Sequence, residues 1–403
     1  MKCLQAFKFK LKLLHGQERR AVRFAGCRRF VFNKGLAFQI EQLEKGEKIL
    51  SYPALCKKLT QWRHDDETSF LAEAPTHALQ QGLKDLDTAF RNCFEKRAKF
   101  PRFKRKGERD GFRYPDPKQF KLDQENSQLF LPKLGWLRYR KSRAMIGKVR
   151  QITIRSESDG WYVCIQTEEE IDAPVACFEN PVGIDVGVAS FATMSDGTKY
   201  TSPIDFKKAE RKIAKEQRSL AKKIKGGFNW RQQLDRIRKL YRKVFNSRKD
   251  FQHKVSTAIC KNHAIVVVED LNVKGMSASA KGTVERPETN VKAKSGLNKS
   301  ILSQGWSEFF RQLEYKLNWK GGILIKIPPR NTSTQCSKCG YTCSENRTSQ
   351  ARFSCIGCGY VENADFNAAQ SILAAGLAVL ACGENPWGIS LKQEPSVSAS
   401  VLA

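Results

Sequence analysis

Acidic residues are scarce in this 403-residue chain. Only 41 Asp and Glu stand against 71 Lys and Arg, which leaves a formal net charge of +30. Solubility does not require a field of that size. It draws polyanions, and nucleic acid is the usual polyanion; the plainer alternative is a ribosome-like or merely adhesive basic protein. Also missing are a signal peptide and any apolar run long enough to span a membrane, which predicts a chain with no membrane partner. Paired cysteines are absent from most of the sequence. Cys3, Cys27, Cys56, Cys93, Cys164, Cys177, Cys260 and Cys382 stand singly, and only residues 336–358 hold a cluster. That distribution speaks against a disulfide framework and predicts free, buried thiols in a reducing compartment. What the chain does have is 40% hydrophobic residues, enough to bury a core divided between two or three domains.

Residues 1–14 alternate polar and apolar, the period of a half-exposed strand, and from about 17 to 98 the period turns helical. Leu79, Leu83, Leu86 and Phe90 fall at helical spacing and read as core. The run Lys96-Arg-Ala-Lys-Phe-Pro-Arg-Phe-Lys-Arg-Lys106 follows, then Phe112-Arg-Tyr-Pro. Arg102, Lys104 and Arg105, interleaved with Phe94, Phe100, Phe103 and Tyr114, suit phosphate contact combined with base or sugar stacking. Residues 128–168 read as strands that, with the first, would close a small barrel carrying the helical segment as an insertion.

A second unit begins near 180. Residues 182–194 read as a strand with a glycine-flanked Asp185, running toward a Ser-Asp-Gly turn at 195–197. Helices are expected over roughly 205–224 and 228–262; residues 207–261 carry 19 Lys and Arg against 4 Asp and Glu, so a hairpin of these helices would present a positive ridge. Ala264-Ile-Val-Val-Val-Glu269 reads as a buried central strand. A Gly/Ser/Lys/Thr-rich loop is expected at 275–297, an amphipathic helix from Leu302 to Trp319, another strand at 322–327, an Ala-rich helix at 364–380, and a disordered tail beyond 383.

This order describes a ribonuclease-H-like core with insertions, in which one carboxylate leaves the first strand, a second ends the central strand and a third opens the last helix. Asp185, Glu269 and Asp365 occupy those places. Hydrolysing a phosphodiester in line requires an activated water and a stabilised leaving oxygen, and two Mg²⁺ ions held by such acids can supply both. Asp270 is set aside because adjacent strand residues point to opposite faces, and Glu362 ranks below Asp365. Cys336-x2-Cys339-x15-Cys355-x2-Cys358 has the spacing of a four-thiolate Zn²⁺ site, with Gly340 and Gly359 allowing the tight turn after each pair. Cys343 is a competing ligand with poorer spacing. A closed four-cysteine shell is structural, because no coordination position is left open.

These pieces resemble the TnpB proteins of IS200/IS605-type insertion sequences, compact relatives of Cas12 nucleases. The matching residues are Arg29-Phe-Val-Phe-Asn-Lys-Gly-Leu, Leu79-Gln-Gln-Gly-Leu, Phe100-Pro-Arg-Phe-Lys, Leu131-Pro-Lys-Leu-Gly-Trp, Gly183-Ile-Asp-Val-Gly, Val268-Glu-Asp-Leu-Asn-Val-Lys-Gly-Met, Trp306-Ser-Glu-Phe-Phe-Arg-Gln-Leu-Glu-Tyr-Lys, both cysteine pairs and Asn367-Ala-Ala. The resemblance implies an α/β multidomain protein. Residues 1–178 would form an N-terminal β-barrel (wedge) with a helical recognition insertion at about 17–98. Residues 179–382 would form a RuvC-type nuclease domain holding the basic hairpin 205–262 and a zinc ribbon at 330–362, followed by a disordered 383–403. It also implies an RNA-guided DNA endonuclease, monomeric on one guide RNA derived from the transposon end, cutting double-stranded DNA beside a short flanking motif in the prokaryotic cytoplasm at the nucleoid. Asp185, Glu269 and Asp365 are then the catalytic acids that hold Mg²⁺, while Tyr52 and Gln80 fall in the motif-reading region. Asn363-Ala364 departs from the Asp-Arg common in relatives. The rival readings are a nuclease-silent RNA-guided repressor and a guide-independent transposase.

Overall fold

The computed structural model describes residues 2–108, 110–172, 179–202, 206–280, 282 and 289–382. Cys177 and the tail beyond 382, expected to be disordered, lie outside the described residues, as does part of the loop expected at 275–297. The chain divides into two compact units, Met1–Asp172 and Ala173–Ala403.

In the first unit, β1 (Lys2–Lys12) leads into three helices, α1 (His15–Glu44), α2 (Tyr52–His64) and α3 (Thr76–Phe94). Six strands follow: β2 (Gly111–Tyr114), β3 (Lys121–Asp123), β4 (Gln128–Leu131), β5 (Gly135–Tyr139), β6 (Lys148–Glu157) and β7 (Gly160–Glu170). They pair with β1 in one seven-stranded antiparallel sheet of order β2-β6-β7-β1-β5-β4-β3. The alternation of β1 does what a half-buried strand requires: Cys3, Phe7, Phe9 and Leu11 point inward. Leu79, Leu83, Leu86 and Phe90 are buried in one core with Val31 and Leu36 of α1 and with Ile152, Ile154 and Ile165 of the sheet. Tyr114, counted among the stacking aromatics from sequence, belongs to this core: it is fully buried and its hydroxyl donates to the Pro132 carbonyl at 3.0 Å.

The second unit opens with β8 (Val182–Asp185), β9 (Ala192–Met194) and β10 (Lys199–Tyr200). The single strand expected over 182–194 therefore breaks after Asp185. The chain turns back so that β9 pairs antiparallel with β8, the turn being held by Gly187 N–H donating to the Ser190 carbonyl at 3.1 Å. Then come α4 (Phe206–Ala221), α5 (Phe228–Asn262), β11 (Ile265–Glu269), α6 (Val273–Met276), α7 (Val291–Gln304), α8 (Trp306–Asn318), β12 (Ile323–Ile327), β13 (Arg352–Ser354), β14 (Val361–Asn363) and α9 (Ala364–Ala381). Helix α7 occupies the end of the segment expected to be loop. The helix expected from Leu302 to Trp319 is in fact two, because Gly305 (φ +71°) takes the left-handed conformation that ends α7 and starts α8.

The sheet order β10-β9-β8-β11-β12, with β8, β11 and β12 parallel, is that of the ribonuclease-H-like core expected from sequence. Its two faces are covered by different helices. Val182, Ile184, Val266 and Val268 pack with α5 and α8 on one side; Ile265, Val267 and Ile325 pack with Ile372 of α9 on the other. α9 is long and apolar enough by length and composition to cross a membrane, which the sequence reading had denied to every segment. Here it lies against the sheet so closely that a Cβ on Gly183 would meet the Ala369 carbonyl oxygen at 2.2 Å.

Candidate functional site

The alternation of the central strands brings the three acids together. Along β11, Ile265 and Val267 face α9, so Glu269 shares that face and Asp270 does not. On β8, Gly183 lies against α9, and Asp185, two residues on, has the same orientation. Asp365 sits in the first turn of α9 itself. All three line one cleft of about 700 Å³ at the C-terminal ends of the parallel strands, together with Ser190, Asn272, Thr332 and Arg347. Neither Asp270 nor Glu362 lines it; Glu362 instead accepts a bond from the Asn363 backbone N–H at 2.8 Å.

The electrostatics follow from burial and from this crowding. Burial first, and then the neighbouring Glu269 and Asp365, together push the Asp185 carboxyl up to about 7 against the opposing pull of Arg347. Burial likewise raises Glu269, partly offset by the Thr332 hydroxyl, which donates to its Oε1. Arg347 Nη2 lies 3.8 Å from Asp365 Oδ1 and donates to the Gln350 carbonyl at 3.1 Å. Three carboxylates facing one guanidinium in a partly enclosed cleft form an oxygen-rich, electron-rich pocket suited to hard divalent cations.

The cysteine cluster lies next to it. The Sγ atoms of Cys336, Cys339, Cys355 and Cys358 lie within 4.8 Å of one another, with Cys336–Cys358 at 3.7 Å and Cys339–Cys355 at 3.6 Å. Four sulfurs bound tetrahedrally at ~2.3 Å would be spaced about 3.8 Å apart, so the set fits Zn²⁺. Cys343 is outside the cluster. The two knuckles repeat one geometry. Gly340 (φ +77°) and Gly359 (φ +70°) each donate to the first cysteine of the pair at 2.9 Å, and each first cysteine donates to the residue after the glycine, Tyr341 at 2.9 Å and Tyr360 at 2.8 Å.

The ribbon is fastened to the acid-bearing helix. Fully buried Asn367 accepts from Ser337 N–H at 3.0 Å and donates to the Gln335 carbonyl at 2.8 Å. Asn363 caps α9 by accepting from Phe366 N–H at 3.3 Å. Ala364 is fully buried with Cys336, Phe353 and Cys355. Arg347 and Thr332, which sequence reasoning missed, both come from the ribbon and its approach. They carry no periodic or spacing signal, and only the fold places them.

The residues predicted to touch nucleic acid are divided. In the first unit Arg102 and Phe103 are exposed and line a cleft of about 770 Å³, with half-buried Lys104 beside them. Arg105 is exposed but does not line it. Tyr52 is half-buried against the core, and burial with a bond to Cys56 pushes its hydroxyl up to about 12. Gln80 is half-buried on α3.

Three family models match the chain: "Probable transposase" (OrfB of IS605) over residues 162–280, "Cas12f1-like, TNB domain" over 306–372, and a "Helix-turn-helix domain" (OrfB of IS605) over 1–48. The last span holds one strand and one 30-residue helix, not a helix-turn-helix. The "Putative RNA-guided DNA endonuclease InsQ" of Escherichia coli strain K12 is 51% identical over 397 residues, covering 98% of each chain. The "Putative RNA-guided DNA endonuclease" of Streptomyces pristinaespiralis is 32% identical, covering 97% of this chain and 93% of its own. Among solved structures, the cryo-EM complex of Cas12f1 with sgRNA and target DNA shares the fold at TM-score 0.53 and 17% identity, over 88% of this chain and 82% of that one.

Proposed function

Because the chain belongs to the TnpB (OrfB of IS605) family of RNA-guided DNA endonucleases, we propose that it cuts double-stranded DNA chosen by a bound guide RNA, at the cleft of Asp185, Glu269 and Asp365. The observation that carries the reading is the convergence of those acids, from two parallel strands and a helix far apart in sequence, on one cleft. The cleft is the RuvC-type site of this account, and its acids would hold two Mg²⁺ ions, which when bound supply water activation and leaving-oxygen stabilisation. Glu269 is kept in place by Thr332, and Arg347 offers N–H donors to a phosphate entering beside Asp365. The four cysteines would hold structural Zn²⁺ and so fix the loops that carry those two residues.

The guide would derive from the transposon end and pair with target DNA, leaving the protein to grip backbone and shape as a monomer on one RNA at the nucleoid. The helices of the first unit, with Tyr52 and Gln80, would read the flanking motif. Its sheet would act as a closed barrel, a reading supported by the bond from Tyr114 on edge strand β2 to Pro132, beside β4 near the opposite edge. The test is cleavage of a matched target by the purified protein–RNA complex with Mg²⁺. The name of the matching transposase model favours a second reading, guide-independent DNA joining, and cutting that survives RNase digestion of all bound RNA would overturn the guided reading.

A further inference from the structure

We propose that the cleft of the first unit is a built site for a single-stranded backbone phosphate and its adjoining base; this rests on the nucleic-acid reading above and deepens it. The floor is sheet: Arg113 on β2 lies diagonal to Arg155 on β6, with Thr153 paired opposite Arg113. The wall is α1 and α3, where Arg28 is paired with Asp85 and donates to the Gly111 carbonyl at 3.0 Å. That pairing uses Asp85, one of two carboxylates lining the cleft; the other, Glu108, is exposed. Among the described residues Arg102, Arg113 and Arg155 have no acidic partner, and the buried Nε atoms of Arg28 and Arg113 have no hydrogen-bond acceptor. Guanidinium N–H groups held away from water without acceptors fit phosphate oxygens.

The rim is held in place. Asn33 clamps both backbone groups of Lys104, accepting from its N–H at 2.8 Å and donating to its carbonyl at 3.0 Å. The Lys104 ammonium sits 3.6 Å from the Phe32 ring centroid, and Arg29 pairs with Asp110 at 2.7 Å on the far side of the loop. Phe103, 53% exposed, is thereby presented at the mouth with nothing required of it by the core. A cleft of about 770 Å³ admits a nucleotide-sized group. An exposed ring beside the cations is the arrangement that stacks one base while its phosphate is neutralised.

The phosphate could belong to the guide or to an unpaired DNA strand, and two binding measurements separate these sources. Full-length protein is titrated with guide RNA, and the protein–guide complex with matched DNA, each over a range of salt. In the measurement that contains the occupant, Arg113→Gln with Arg155→Gln should flatten the log affinity against log salt slope by about 0.7 per phosphate lost. Phe103→Ala should weaken the same binding by roughly 5- to 150-fold, and its exposed ring makes misfolding a poor explanation. Unchanged affinity and slope in both measurements for all these variants overturns the proposal. If the wild-type complex still cuts matched DNA in that case, only this site is lost; if wild type binds neither RNA nor DNA, the functional reading fails with it.

Discussion

At the scale of residues, burial of the carboxylates, reinforced by their crowding, sets the behaviour of the metal-free protein. Asp185 has a folded value near 7, above its ordinary 3.8. Between about pH 4 and pH 7 the folded state keeps a proton that the unfolded chain has released, so its contribution to stability falls as pH rises through that window. Asp185→Asn should therefore stabilise the metal-free protein at pH 8 by roughly 1–3 kcal/mol, and the gain should vanish near pH 4. Thermal melts across pH check this, and a variant that melts below wild type at pH 8 contradicts it. Arg347→Ala should leave guided binding intact while reducing cutting by roughly 10²-fold, in line with the loss of one preorganised donor; equal loss of binding in a gel-shift titration would argue against its place at the scissile phosphate. Asp185, Glu269 and Asp365 were legible because each ends or begins an element whose hydrophobic pattern can be read. Arg347 and Thr332 were not, since each lies in irregular chain whose position depends on the ribbon.

At the scale of elements, the ribbon and α9 act as one part. Asn367 and Ala364 join the knuckles to the helix that carries Asp365, and the ribbon's approach carries Thr332 to Glu269. Removing zinc with a chelator, or Cys336→Ser, should lower bound zinc and abolish cutting even in excess Mg²⁺. Hydrogen exchange over 336–364 should rise, and unchanged zinc content in the variant would refute the ligand role. Gly183→Ala places a Cβ against the Ala369 carbonyl. It should destabilise by roughly 1–3 kcal/mol and slow cutting by displacing Asp185, as melting and rate measurements together would report. The knuckles were fully legible from spacing. The breaks at Val186 and Gly305 were not: a run of apolar residues reads as one strand or helix, whereas pairing with β8 and the left-handed glycine are decided by tertiary contacts.

At the scale of the whole molecule, the proposed function has the +30 charge and the acid cleft answer to different parts of one substrate. The excess of cations grips phosphate without reading sequence, so binding of guide and target should weaken steeply with salt. In the proposed function the acids would act on a single phosphodiester once pairing has delivered it. Composition made the first half of this legible at once; the second emerged only when the order of elements was laid on a sheet with parallel central strands. The measurement that tests the account most directly compares cutting and binding of matched DNA by wild-type and Asp185→Ala complexes, each loaded with guide RNA and Mg²⁺. Wild type should cut and the variant should bind with nearly the same affinity and leave the DNA intact; a variant that cuts at the wild-type rate would contradict the account.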